Sequence, residues 1–273
     1  MYVYLGCRNL QSGLAAVDKL KAEGLHHVAA IALDVSNDES VKQARKILGH
    51  QLQSLDILIN NAGMYGGSPQ TALEATIDQF KATYDANVYG VVRVAQAYID
   101  LLKNASAPRI VNVSSSQDSI TLHSDPSYRY YDIKGAVYLS SKSAMNMYTF
   151  VLAYELKDTN FKVNAVCPGF TKTDFNGHRG LESVEDAGKR IVKYALIDED
   201  GPRENFSAKK TIPQPEKFLG DHTYCLEKLL PSSPTFSSFL IPFFGKYPFK
   251  TRLSPLNGRS FVINSKTVAA MYI

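Results

Sequence analysis

The sequence predicts an α/β fold, a parallel β-sheet doubly wound with helices on both faces. Three observations predict it. Short apolar, β-branched runs alternate with stretches of helical periodicity through the first two-thirds of the chain. Such alternation builds βαβ units, whose strands pair in parallel beneath crossover helices. The chain has 273 residues, enough for one large domain of this class. Its hydrophobic share, 45%, is too high for a disordered chain and supplies the core those helices would cover.

The elements follow in order. Val3 to Cys7 reads as a strand, and Leu14, Val17, Leu20 and Leu25 continue at near-helical spacing, with Gly24 as a stop. Val28 to Leu33 is a second strand. Ser36 to Leu52 is a helix capped by Ser36 or Asn37, and Leu55 to Ile59 a third strand. Thr71 to Leu102 carries one long helical pattern through Phe80, Tyr84, Val88 and Val92. Arg109 to Val113 is a strand, Ala136 to Leu156 a helix, Phe161 to Val166 a strand and Val184 to Tyr194 a helix. Two domains are expected: 1–205, the sheet domain, and 206–273, an atypical tail, poorly ordered or capping. Eight of the 12 prolines follow residue 200 and periodicity fades there.

Charge and cysteine usage narrow the function. The net charge of +4 excludes a chain that binds polyanions along its length, so no nucleic-acid partner is expected. Cys7, Cys167 and Cys225 are an odd, sparse set, which points to a reducing compartment. None stands at metal-ligand spacing from another, so no metal site is expected. No apolar run reaches the roughly 20 residues of a membrane span. The first residues, Met1 to Arg8, lack a basic leader before a hydrophobic stretch. The expected location is the cytoplasm, with no membrane partner.

Tyr138 and Lys142 place a phenol and an amine four residues apart, on one helix face. An ammonium beside a phenol favours the phenolate and makes the group a usable proton donor near neutrality. The same spacing recurs at Tyr130–Lys134 and Tyr224–Lys228, where a solvated helix face explains it as well. Context separates the three. Only Tyr138–Lys142 follows a strand ending in Ser114-Ser115-Ser116, where a hydroxyl at the carboxyl edge of a parallel sheet can meet a carbonyl oxygen. Turn and capping chemistry also suits those serines. Asn60-Asn61-Ala62-Gly63 follows the third strand, with small residues that let a flat ligand, or simply a tight turn, come close to the backbone. Asn87 sits mid-helix, where asparagine is mildly unfavourable, held there for its side chain or facing water. Asn164 to Gly169, with Pro168-Gly169 as a turn, leads to the hydroxyls of Thr171 and Thr173.

In this order, from residue 2 to about residue 200, these motifs resemble the short-chain dehydrogenase/reductase family, and within it the carbonyl-reductase-type members. The resemblance implies a Rossmann-like sheet and NADPH-dependent reduction of a small-molecule ketone or aldehyde, or the reverse oxidation of an alcohol. Tyr138 would be the general acid and Lys142 would lower its pKa and hold the nicotinamide ribose. Ser115 would orient the carbonyl, and Asn87 would support Lys142 through a water relay. Asn61, Ala62 and Gly63 would line the adenine ribose, Asp34 and Val35 would meet the adenine, and Pro168, Gly169, Thr171 and Thr173 would hold the nicotinamide side. NAD-using relatives place an acidic residue where Cys7 stands, and Arg8 next to it suits a 2′-phosphate, so the expected cofactor is NADP(H). A homo-oligomer through the long helices is compatible with the family, although long-insert relatives are often monomers.

Two departures from the family complete the reading. Ser115 and Tyr138 stand 23 positions apart, and the extra segment, Asp118 to Val137, is expected to flank the substrate pocket with His123 as a surface loop residue. The family's first strand and glycine-rich turn have no counterpart ahead of Val3, so the sheet reads as N-terminally truncated. The missing strand would lie mid-sheet and leave unpaired strand edges. The alternative function is therefore a truncated, non-catalytic protein with an interaction or nucleotide-sensing role.

Overall fold

The structure, a computed structural model, describes residues 2–202, 204–207 and 260–264, the last two stretches by their backbone. Cys225, the Tyr224–Lys228 pair and the rest of the expected tail lie outside the described residues. The strands are β1 (Tyr2–Cys7), β2 (Val28–Ala32), β3 (Ile57–Asn60), β4 (Arg109–Val113), β5 (Lys162–Val166), β6 (Glu204–Ser207) and β7 (Ser260–Asn264). They form one seven-stranded sheet in the order β2-β1-β7-β3-β4-β5-β6, and every pairing is parallel. The helices are α1 (Leu10–Ala22), α2 (Asp38–Gln51), α3 (Ile77–Tyr84), α4 (Gly90–Lys103), the short α5 (Ile120–Ser124), α6 (Ala136–Glu155) and α7 (Val184–Ala195).

Both faces of the sheet are covered, as parallel strands require. Along β3 the side chains alternate. Leu58 joins Val94, Tyr98, Leu102 and Ile110 in one apolar cluster, while Ile57 and Ile59 join Val111, Val113, Val166 and Ile191 in another. Helix α1 begins where Asn9 accepts the Ser12 N–H, and it turns Gly13, Ala16, Val17 and Leu20 inward. A side chain at Gly13 would run into Cys7 Sγ, so glycine lets α1 lie directly on β1. Asn37 caps α2 by accepting the Ser40 N–H, so that helix starts at Asp38, two residues after the expected position.

Of the long helix expected over 71–102, residues 77–103 are helical without a gap, and it departs from the expectation in two places, its start and its winding. Residues 71–75 form turns, and a capping box of Thr76 and Gln79 starts α3. A five-residue π-helical turn, Asp85–Tyr89, then joins α3 to α4. The apolar spacing continues through both places, which is why the periodicity alone does not register them.

The expected mid-sheet gap is also corrected. Strand β7 lies between β1 and β3, with Ser260 opposite Tyr2 and Phe261 opposite both Val3 and Ile57. The reading of 206–273 as a tail is thereby amended at this strand and at β6, which pairs with β5. Five residues amid proline-rich sequence are too short a run for periodicity to mark.

Candidate active site

The carboxyl ends of β1, β3, β4 and β5 share one edge of the sheet, where α/β sheets bind ligands. Helix α6 crosses that edge and carries Tyr138 and Lys142 inward, 8% and 5% exposed. Ser115, just past β4, caps the tight turn Ser116–Asp118 by accepting the Gln117 N–H at 3.2 Å. Its hydroxyl is hydrogen-bonded to the Tyr138 phenol, so the strand end and the helix meet at the two oxygens. Lys142 Nζ donates to the Val113 carbonyl at 2.7 Å and stands 5.9 Å from the centre of the Tyr138 ring.

The electrostatics correct one expectation. Burial pushes the Tyr138 phenol far above its ordinary value, and the Ser115 hydrogen bond, which favours the phenolate, offsets only part of that. The Lys142 ammonium, 5.9 Å from the ring centre, does not outweigh that burial. Burial brings Lys142 itself down to about 8, while the charge of Asp118 holds it up. Asp118 is raised to about 6 by its own burial, against hydrogen bonds from Ser114 and Asn146. Ser114 Oγ lies 2.8 Å from Asp118 Oδ2, Asn146 Nδ2 donates to the same oxygen, and the Asp118 carbonyl accepts Ser143 Oγ at 2.6 Å. Asp118 thus ties the serine turn to α6 one helical turn beyond Lys142. Sequence reasoning missed it.

Asn87 lies within the π-helical turn, fully buried. Its Oδ1 accepts the Met64 N–H at 2.8 Å, and its Nδ2 donates to the Met64 carbonyl at 2.9 Å and to Ser141 Oγ at 3.0 Å. The side chain clamps the loop after β3 to α6, a use of a π-bulge common at functional sites. Gln70 is a second residue that sequence reasoning missed. Its Nε2 donates to the carbonyls of Tyr65 and Gly67 at 2.9 and 2.8 Å, and its Oε1 accepts the Tyr138 N–H at 3.1 Å.

The expected cofactor residues fall along the same edge with unequal fit. Asn61, Ala62 and Gly63 follow β3. A side chain at Gly63 would stand 3.3 Å from Asn87 Oδ1 and 3.7 Å from Lys142 Nζ, so the glycine keeps a bare strip beside the lysine. Arg8 is exposed at the end of β1. Cys7 is buried beneath α1 and presents no polar group at the edge. Asp34 accepts the Ser36 N–H at 3.0 Å. The side chain of Val35 is buried against Gly90, which leaves only its backbone for an adenine. Pro168 and Gly169 turn the chain after β5, with φ +90° at Gly169. Thr171 Oγ1 lies 3.2 Å from the Gly169 carbonyl, so its hydroxyl serves the turn, and Thr173 is half-buried with no capping role. Buried Cys167 accepts N–H groups from Ser116 and Gly169, and burial pushes its thiol up.

In the insert, Tyr128 OH donates to the Ser116 carbonyl at 3.2 Å, which places this segment against the serine turn. His123 is half-buried with its ring 5.3 Å from that of Tyr128, rather than on the surface. Two further rings surround the phenol: Tyr65 at 5.6 Å and Phe175 at 5.7 Å, centre to centre. The bare strip at Gly63, the buried amine and the phenol fit the nicotinamide-ribose end of a dinucleotide. The loop after β3 carries Gly63, Gly66 and Gly67, the last two with positive φ.

Comparison with known proteins agrees with this arrangement. The family described as short chain dehydrogenase matches residues 1–183. Short-chain dehydrogenase anuI of Penicillium roqueforti is 33% identical over 209 residues, covering 74% of this chain and 80% of that protein. Salutaridine reductase of Papaver bracteatum is 29% identical, covering 73% and 84%. Among solved structures, salutaridine reductase from Papaver somniferum has a TM-score of 0.63 at 24% identity, covering 76% of this chain and 99% of that one. NADPH-bound carbonyl reductase from chicken fatty liver also gives 0.63 at 24%, covering 75% and 84%. These two structures share the fold.

Proposed function

This chain belongs to the short-chain dehydrogenase family, a family of oxidoreductases, and from that premise we propose that it reduces a ketone or aldehyde with NADPH, or runs the reverse oxidation. The observation that carries the reading is the Ser115–Tyr138 hydrogen bond with Lys142 one turn along the same buried helix face. A bound NADPH supplies the hydride. Tyr138 gives its proton to the carbonyl oxygen and Ser115 orients that oxygen by a second hydrogen bond. Lys142, beside the bare strip at Gly63, holds the nicotinamide ribose, and its charge offsets the phenolate that proton transfer leaves. Asn61, Ala62 and Gly63 line the dinucleotide. Thr173 and the Pro168-Gly169 backbone face its nicotinamide side, and Asp34 with the Val35 backbone faces its adenine.

Preference for NADP(H) over NAD(H) rests on Arg8, which is exposed where β1 ends, with a buried thiol rather than a carboxylate before it. A guanidinium there suits a 2′-phosphate. Two described thiols, both unpaired, support a cytoplasmic setting. Helix α6 exposes Met147, Phe150, Val151 and Tyr154, which supports pairing of two copies. The sheet domain of 1–205, in this proposal, is completed by β7.

The test is NADPH consumption by the purified chain against a panel of ketones and aldehydes. Tyr138→Phe lowers turnover at least about 100-fold, as expected for loss of a general acid, while the fold is retained. Turnover unchanged in that variant refutes the mechanism. The alternative reading, a non-catalytic protein, holds if the chain neither turns over nor binds NADPH.

A further inference from the structure

Tyr65, Tyr138 and Phe175 form a closed triangle of rings over the phenol. Their centres lie 5.6 Å apart for Tyr65–Tyr138, 5.7 Å for Tyr138–Phe175 and 6.4 Å for Tyr65–Phe175, the last pair edge to face. All three separations fall within the range of aromatic contact. A flat ring held between two parallel rings needs about 7 Å between them, twice a carbon–carbon contact. The triangle therefore has no slot for a ring, and a substrate ring must displace one member.

The three members are held differently. Tyr138 is fixed in α6, and the backbone of Tyr65 is bound to that of Tyr138 through the single side chain of Gln70. Phe175 sits on the 3₁₀ turn Asp174–Asn176, at the tip of a loop closed at its base by Leu181 N–H and Glu182 N–H to the Phe170 carbonyl, at 2.8 and 3.0 Å. It is 42% exposed, so it has solvent to swing into. Its departure uncovers both the Tyr138 phenol and the face of Tyr65.

We propose that Tyr65 and Phe175 determine the specificity of this site: they select ketones whose carbonyl is attached to an uncharged flat ring, with that ring taking the place of Phe175 against Tyr65. The inference rests on the reduction reading above for its chemistry, and on the ring geometry for its selectivity. A short open-chain ketone reaches Tyr138 but gains no ring contact.

The experiment uses the full chain with two probes, acetophenone and butanone. It measures kcat/KM with NADPH for each, and the binding of acetophenone without NADPH by saturation-transfer NMR. Tyr65→Ala lowers kcat/KM for acetophenone about tenfold, the upper end for one aromatic contact, whereas Phe175→Ala, which empties the place the substrate ring takes, raises it. Both leave butanone within about twofold, and Tyr65→Phe keeps the preference. Acetophenone binding weakens in Tyr65→Ala, tightens in Phe175→Ala and persists in Tyr138→Phe. A parallel fall for both ketones, or a native protein without ring preference, overturns the inference and leaves the reduction reading standing. Acetophenone binding that depends on Tyr65 and Phe175 in a chain without turnover overturns the reduction reading instead. Absence of both binding and turnover overturns both.

Discussion

Replacing Lys142 with methionine should stabilise the fold while abolishing turnover. The amine is 5% exposed, and burial brings it down to about 8 from an ordinary 10.5. Between those values the unfolded chain binds the proton more tightly than the folded one. Stability therefore rises as pH climbs from about 8 to 10.5, and below 8 the full cost of burying the charge is carried. That cost is about 3 kcal/mol at neutral pH. Methionine has similar length and no charge, but it leaves the Val113 carbonyl without the donor that Lys142 Nζ provides at 2.7 Å. A buried carbonyl that loses its partner costs about 1 kcal/mol. The net gain at pH 7 is about 2 kcal/mol, or roughly 4–8 °C in Tm for a domain of this size. Thermal unfolding followed by circular dichroism, for both proteins at pH 7 and pH 10.5, checks it. Other titrations are common to the two proteins and cancel in the difference. At the higher pH the gain should vanish and a deficit of about 1 kcal/mol remain. A variant less stable at pH 7, or a gain equal at both pH values, refutes the reasoning.

Asn87→Ala leaves the Met64 N–H and carbonyl without their side-chain partners and should cost about 3 kcal/mol, read as a fall in Tm of roughly 6–12 °C. A fall under about 2 °C would mean that water replaces the clamp. Asp118→Asn tests a carboxyl raised from 3.8 to about 6. Between those values the folded state binds more protons than the unfolded chain, so the wild type loses stability as pH rises from about 4 to 6 and stays level above. The asparagine variant should lack this slope, the two curves diverging by about 2 kcal/mol across the window in paired denaturant titrations. A half-turn of the Asn146 amide would restore its pairing with the new side chain.

The parts of this structure legible in the sequence are those whose signal is local. Strands β3, β4 and β5 are buried on both faces and read as short, β-branched, mostly apolar runs. Helix α6 matches its spacing-based limits to within one residue. Tyr138 and Lys142 were separable from two look-alike pairs because a serine-ended strand precedes them. What escaped depends on partners far along the chain. Gln70 meets Tyr138 across 68 positions, through a turn with positive φ at Gly66 and Gly67. Asparagine in a helix was visible at position 87, but its partner Met64 was not, and neither was the π-helical turn that aims it. The downward shift expected for Tyr138 failed because pairwise spacing carries no information about burial, and burial dominates here.

The position of β7 sets the order in which this protein can assemble on the ribosome. Ser260 is the register partner of Tyr2, so the middle of the sheet joins segments made at widely separated times. Until residues 260–264 emerge, the nascent chain can hold β2 and β1 on one side and β3, β4, β5 and β6 on the other, each group with a bare edge where β7 will lie. Exposed parallel edges of this kind pair with the wrong neighbour, and contacts this distant form slowly. The chain should therefore lean on chaperones late in synthesis. An early stop codon that removes only the last few strand-forming residues should be as damaging as a deletion from the interior.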